Sequence, residues 1–244
     1  NTTAAQNTAV GACALASTTT GGCNTGVGYL SLNTNTEGTS NVAVGRGTLQ
    51  LNTTGASNVA VGRQALNNNT TGDGNTASGY YALNDNTTAD NNTASGYYAL
   101  EKNTTGSDNV AVGANALDSN TSGIGNVATG YLALGQGAMF TNTTGASNTA
   151  VGTRSMQCNT TADKNTAIGS CAGFNITTGD DNTALGRKAL ENLTTGSNNI
   201  GIGDTSGGDG VRNITTESNN IVIGNNQSAT AHIKIDWTVT SDLR

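Results

Sequence analysis

The sequence predicts an all-β fold, a parallel β-solenoid (β-roll) of about 13 coils with a 17-residue repeat. Three observations carry this. The composition cannot supply a conventional packed core, one short motif recurs at a fixed interval, and the residues inside that motif alternate with strand period. Nearly half of the 244 residues are Asn, Thr or Gly, Pro is absent, and only 11% are charged and 4% aromatic. Ordinary globular domains carry about 25% charged residues. Disordered linkers are usually rich in both Pro and charge, so the chain does not read as a linker either.

The motif Asn-(Thr/Val/Ile)-(Ala/Gly/Val)-x-Gly begins at Asn7, Asn24, Asn41, Asn58, Asn75, Asn92, Asn109, Asn126, Asn148, Asn165, Asn182, Asn199 and Asn220. All but two of the intervals are 17 residues; Asn126 to Asn148 and Asn199 to Asn220 are longer. A fixed period of this length signals stacked supersecondary units. With the motif Asn as position 0, position 4 is Gly in every copy and position 2 is nearly always Ala.

The unit that starts at Asn58 shows the elements in order. Val59-Ala60-Val61 alternates in strand period. Gly62 marks a sharp turn, and Ala65-Leu66 suggests a second short strand. Asn69-Thr70-Thr71-Gly72 is turn chemistry, with the Gly free to take positive φ. Helix is not expected, because Asn, Thr and Gly are poor helix formers and every unit contains several. A single such coil cannot bury its apolar face, but stacked coils can. Thirteen coils about 4.8 Å apart make a rod of roughly 58 Å. The Asn column (Asn41, Asn58, Asn75, Asn92 and Asn109) reads as a ladder, each amide bonding to the copies above and below. The Gly column (Gly45, Gly62, Gly79, Gly96 and Gly113) reads as a place where a Cβ would clash or φ must be positive.

So thin a coil holds little beyond Val, Ala and Leu. The small residue at position 2 suggests close approach to another surface. Homotrimerisation, intertwined or side by side, would supply the missing burial and cover strand edges.

These residues resemble known proteins. Asn41-Val42-Ala43-Val44-Gly45, Asn109-Val110-Ala111-Val112-Gly113 and Asn165-Thr166-Ala167-Ile168-Gly169 resemble the left-handed parallel β-roll repeats in head domains of trimeric autotransporter adhesins. The longer unit with its Asn-Thr-Thr-Gly loop looks more like the repeat arrays of bacteriophage tail fibres. The resemblance covers residues 1–227 and implies a homotrimeric, extended, protease-resistant shaft. Residues 228–244 form a separate C-terminal segment. His232 to Thr240 alternates apolar and polar residues and reads as a capping strand. Ser241-Asp242-Leu243-Arg244 then resembles the opening of the intramolecular chaperone domain that follows endosialidases and other phage fibres. In that family the domain promotes trimer assembly and cleaves itself off, with the Ser as nucleophile; Ser241 would take that role. The downstream Lys that the family uses is not in this sequence.

Several side chains are candidates for chemistry. All six tyrosines (Tyr29, Tyr80, Tyr81, Tyr97, Tyr98 and Tyr131) fall at positions 5 or 6. Tyr80-Tyr81 and Tyr97-Tyr98 occupy adjacent coils, and Arg46 and Arg63 continue the position-5 column. Aromatic rings stack on the apolar faces of sugars and Arg donates to hydroxyls, so this strip is a candidate glycan surface. The alternative is that the rings fill a corner between strands or subunits. Sequons at Asn52, Asn69, Asn86, Asn103, Asn120, Asn142 and Asn159 follow from a turn that needs Asn and Thr. Thr pairs such as Thr70-Thr71 raise an ice-binding face, but adjacent Thr do not point the same way on a strand.

Catalysis and metal binding find little support. His232 is the only histidine and no Cys/His cluster exists, so no metal and no cofactor is expected. Gly207-Gly208-Asp209-Gly210 looks like part of a calcium-binding Gly-rich repeat but occurs once. Asp180-Asp181 and Asp204 do not set the carboxylate separation of a glycosidase. The chain reads as a non-enzyme. Cys158 and Cys171 lie on neighbouring coils at different positions, which permits a bridge without requiring one; the bland reading is four free buried thiols. Insertions at 135–140 and 207–212 break the period, and Met139 and Phe140 could pack at a subunit contact.

A net charge of −6 and a pI near 4.5 exclude a basic stripe, and with it nucleic acid as a partner. The apolar runs are too short for membrane insertion, and no leader is visible. Asn1-Thr2-Thr3 reads as the middle of a repeat, so a longer protein is expected. The functional expectation is the shaft of a phage tail fibre, located in the virion. Its partners would be itself, other tail or baseplate proteins, and a host surface glycan or protein. The runner-up is the extracellular head of a bacterial trimeric surface adhesin; a polysaccharide-degrading spike and an ice-binding solenoid are distant alternatives.

Overall fold

The computed structural model describes residues 3–134, 142–208 and 213–225. Among them the fold is an all-β solenoid. Thirteen three-residue strands, from β1 (Thr8–Val10) to β13 (Ile221–Ile223), form one parallel sheet in strict chain order, about 12 turns of the coil. The register is one repeat per rung: β4 (Val59–Val61) sets Val59, Ala60 and Val61 beside Thr76, Ala77 and Ser78 of β5 (Thr76–Ser78). The longer interval keeps the same register, because Val127 of β8 (Val127–Thr129) pairs with Thr149 of β9 (Thr149–Val151). The extra residues therefore leave the coil between rungs without shifting its strands.

Between the two end strands, each strand turns its central residue inward. Ala60, Ala77, Ala94 and Ala111 are fully buried, while Val61 and Val112 look out. The inward Ala faces a file of fully buried side chains at position 8: Leu32, Leu49, Leu66, Leu83, Leu100, Leu117, Leu134, Met156 and Leu190. The surface that keeps position 2 small is thus the chain's own core. At Gly201, a Cβ would come within 2.6 Å of Leu190 Cγ. The coil does build an apolar interior, slender and one side chain wide. Valine contributes little to it.

The second strand expected at Ala65-Leu66 is replaced by a turn, because the backbone there is not extended. Gln64 and Leu66 have φ of 55° and 52°, and the same two positions are left-handed in coil after coil. Left-handed backbone costs about 1–2 kcal/mol per residue, whereas burying a leucine side chain contributes about 1.5–3 kcal/mol. The leucine therefore offsets its own backbone cost. The turn also keeps its hydrogen bonds. Leu66 N donates to Ala82 O of the next coil at 3.0 Å, and Gln64 N donates to Arg46 O of the preceding one at 3.0 Å.

The two conserved glycine columns within the repeat act differently. Gly62 has φ 129°, and a Cβ there would run into the backbone of Gly79 on the next coil. Gly72, expected to use positive φ, does not have it; a Cβ there would collide with Ala89 O and the Asn69 side chain. The second column is kept small by space, and Ala89 and Ala162 stand in it, both buried.

Candidate functional site

Two polar files run through the interior. At position 0, Asn58 N and Nδ2 both donate to Oδ1 of Asn41, at 2.9 and 3.2 Å, and Asn58 Nδ2 also donates to Gly72 O at 2.8 Å. Asn75, Asn92 and Asn109 repeat the bonds to the preceding Asn. The amides lie in file, and each buried amide is satisfied by its neighbours. Such satisfaction is what makes a buried polar column tolerable.

The second file, at position 11, was read from the sequence only as turn chemistry. Asn69 Nδ2 donates to Asn52 Oδ1 and Asn86 Nδ2 to Asn69 Oδ1, each at 2.8 Å. Asn103, Asn120 and Asn142 extend it. The seven sequon asparagines named above, from Asn52 to Asn159, are all fully buried. The signal was available in the same 17-residue spacing that revealed the first ladder. Beyond Asn159 this file turns apolar, through Ile176, Leu193 and Ile214, all buried. The change compensates for the core: where position 8 is Gly173 or Gly207, Ile176 and Ile214 fill the space.

The Thr pairs divide their work. Thr70 Oγ1 donates to Thr87 O of the next coil at 2.9 Å, while Thr71 is exposed. Two of the three candidate carboxylates are likewise occupied along the rod. Asp180 Oδ1 accepts from Asp163 N at 2.8 Å, and Asp204 pairs with Arg187 at 2.8 Å. The four cysteines are free, with Cys13 and Cys23 exposed and Cys158 and Cys171 half-buried; burial raises the Cys158 thiol, opposed by Arg154. Among the described residues no group of His, Cys, Asp or Glu is placed to hold a metal, and no helix is long and apolar enough to cross a membrane. His232, Ser241, Met139, Phe140 and Asp209 lie outside the described residues.

The tyrosines gather on the outer surface after Gly79 and Gly96. The segment Asn75–Leu83 is repeated without change as Asn92–Leu100, so its rings superpose one coil apart. Tyr80 and Tyr97 stack with centroids 5.4 Å apart and planes 10° apart, and Tyr81 and Tyr98 at 5.3 Å and 18°. Tyr97 and Tyr98 meet edge to face at 4.4 Å. Arg63 lies over the Tyr80 ring at 5.5 Å, and Arg46 over Tyr29 at 5.9 Å. From Tyr29 to Tyr97, position 5 is therefore a column of planar groups stacked along the rod. Loss of water around the packed rings, then the Tyr97 hydrogen bond and the nearby Tyr97, Tyr80 and Glu101, push the Tyr98 phenol up to about 12. Burial and Asp85 raise the Glu101 carboxyl, opposed by Lys102 and reinforced by Asp118. The same two coils are also the polar stretch of the outward sheet face. Ser78 and Ser95 replace the apolar residues exposed at Val44, Val61, Val112 and Ile168.

Comparison with family models, curated proteins and solved structures finds no match for this chain.

Proposed function

We propose that the chain is the shaft of a phage tail fibre, a homotrimeric spacer that supports host-surface attachment and contacts surface glycans through its tyrosine strip. The observation that carries this reading is the run of coils in one register, locked by two buried asparagine files. Such a scaffold resists shear and presents one surface at fixed intervals. Self-association is supported by the outward sheet face. Val44, Val61, Val112, Ile168, Leu185 and Ile202 are all exposed at position 3. A strip about 58 Å long and about 7 Å across is on the order of 400 Å² before its Ser and Thr gaps are taken out. Exposed apolar patches of that size are often functional.

Sedimentation equilibrium tests the trimer. A mass three times the 24.3 kDa of the chain is expected, falling to a single chain in Val44→Lys/Val61→Lys/Val112→Lys with its β spectrum retained. A wild-type chain that stays single at high concentration overturns it. Glycan-array binding that Tyr80→Ala/Tyr97→Ala abolishes supports the contact role, and unchanged binding rejects that strip.

A further inference from the structure

Between Tyr29 and Tyr131 the position-5 column contains one gap. It runs Tyr29, Arg46, Arg63, Tyr80, Tyr97, Ala114, Tyr131 on consecutive coils. The backbone register across the gap is exact to the rung: Asn115 N donates to Tyr97 O at 2.9 Å and Leu132 N to Ala114 O at 3.2 Å. Ala114 therefore sits between two tyrosines, and both are 54% exposed. The Tyr80–Tyr97 stack shows that the Tyr97 ring lies crosswise, with one face on Tyr80. Its other face looks along the rod across the alanine.

We infer that the gap over Ala114, between Tyr97 and Tyr131, is a binding slot for a single pyranose ring. Coils about 4.8 Å apart put the two tyrosines about 9.6 Å apart along the rod. With the Tyr131 ring turned crosswise like that of Tyr97, two ring-face contacts at 3.5–4.0 Å take up about 7–8 Å of that span. A flat aromatic ligand would leave the rest empty, whereas a saturated sugar ring is thicker by its pucker and axial hydrogens and fills it. The floor is the Ala114 methyl, which suits the C–H edge of a sugar. A polar group adjoins it in the chain: Asn115 is held by a 3.3 Å bond from its Nδ2 to the buried Asp118 carboxylate. An amide fixed from beneath is a preorganised partner for a sugar hydroxyl.

This inference rests on the reading of the column as a glycan-contacting surface, and the variants separate the two. Ala114→Tyr fills the slot with the residue that the column already carries on both sides, so the fold should accept it. Ser170→Tyr adds the same side chain at position 5 three coils away and serves as control. Saturation-transfer NMR with methyl glycosides of glucose, galactose, mannose and N-acetylglucosamine should show ring-proton contact with the wild-type chain. Binding should weaken at least tenfold in Ala114→Tyr and in Tyr131→Ala, and persist in Ser170→Tyr. Wild-type affinity in Ala114→Tyr, with loss only in Tyr80→Ala, would overturn the slot and leave the strip as the glycan surface. No binding of any glycoside or array glycan by the wild-type chain would overturn both.

Discussion

Asn75 concentrates the stabilising chemistry of this molecule in one side chain. Its Oδ1 accepts Asn92 N and Nδ2, and its Nδ2 donates to Asn58 Oδ1 and Ala89 O. Asn75→Ala leaves the buried Asn92 N and Nδ2 without that acceptor, at about 1–3 kcal/mol for each one that water cannot reach, while Asn58 Oδ1 and Ala89 O keep Asn75 N and Asn86 Nδ2. The expected loss is about 3 kcal/mol by chemical denaturation, against less than about 0.5 kcal/mol for a surface change such as Thr71→Ala. Tyr98 makes a second residue-scale prediction. Its phenol is raised from 10.0 to about 12 in the folded chain, so the folded state holds that proton more tightly than the unfolded state does. The stabilisation is fully present below pH 10 and is lost as pH rises toward 12. Tyrosinate absorbance should show a late step near pH 12 that Tyr98→Phe removes. Absence of that step in the wild-type chain would show that the phenol is not held neutral by its neighbours.

At the scale of the element, the unit is a coil of 17 residues and not the strand within it. Deleting residues 58–74 removes one whole coil and joins Ser57 to Asn75, which is again the Asn of the next motif. The shortened protein should melt cooperatively and lose about 4.8 Å of length. Deleting residues 58–73 puts the files one residue out of register and turns inward side chains outward; a substantially lower melting temperature is expected. The coil also shows what was legible in the sequence. The strand at Val59–Val61 was legible because alternation and strand share a period of two. The turn at Ala65-Leu66 was not, because an apolar pair says nothing of backbone hand and leucine is a poor candidate for φ of 52°. Only the core beneath it explains that choice. The Asn52–Asn142 file was visible as a spacing but hidden by its turn-like context. The gap at Ala114 was visible as a letter, and it acquired meaning when the stacked rings gave the column a thickness.

At the scale of the whole molecule, the chain reverses the usual proportions of a folded protein. Its interior is a thin file of leucine between two files of amide, and much of its aliphatic surface faces outward. Stability is then a sum of similar contributions from neighbouring coils, which explains how one polar residue type can recur so often inside the fold. The same logic leaves a long apolar face available to copies of the chain. Everything rests on the repeat being one rung of a parallel stack. Electron cryomicroscopy of the isolated protein tests this most directly. The account predicts a rod about 58 Å long with a rise of about 4.8 Å per coil and density for the asparagines in continuous files. A compact particle, or coils whose asparagines do not line up, would contradict it.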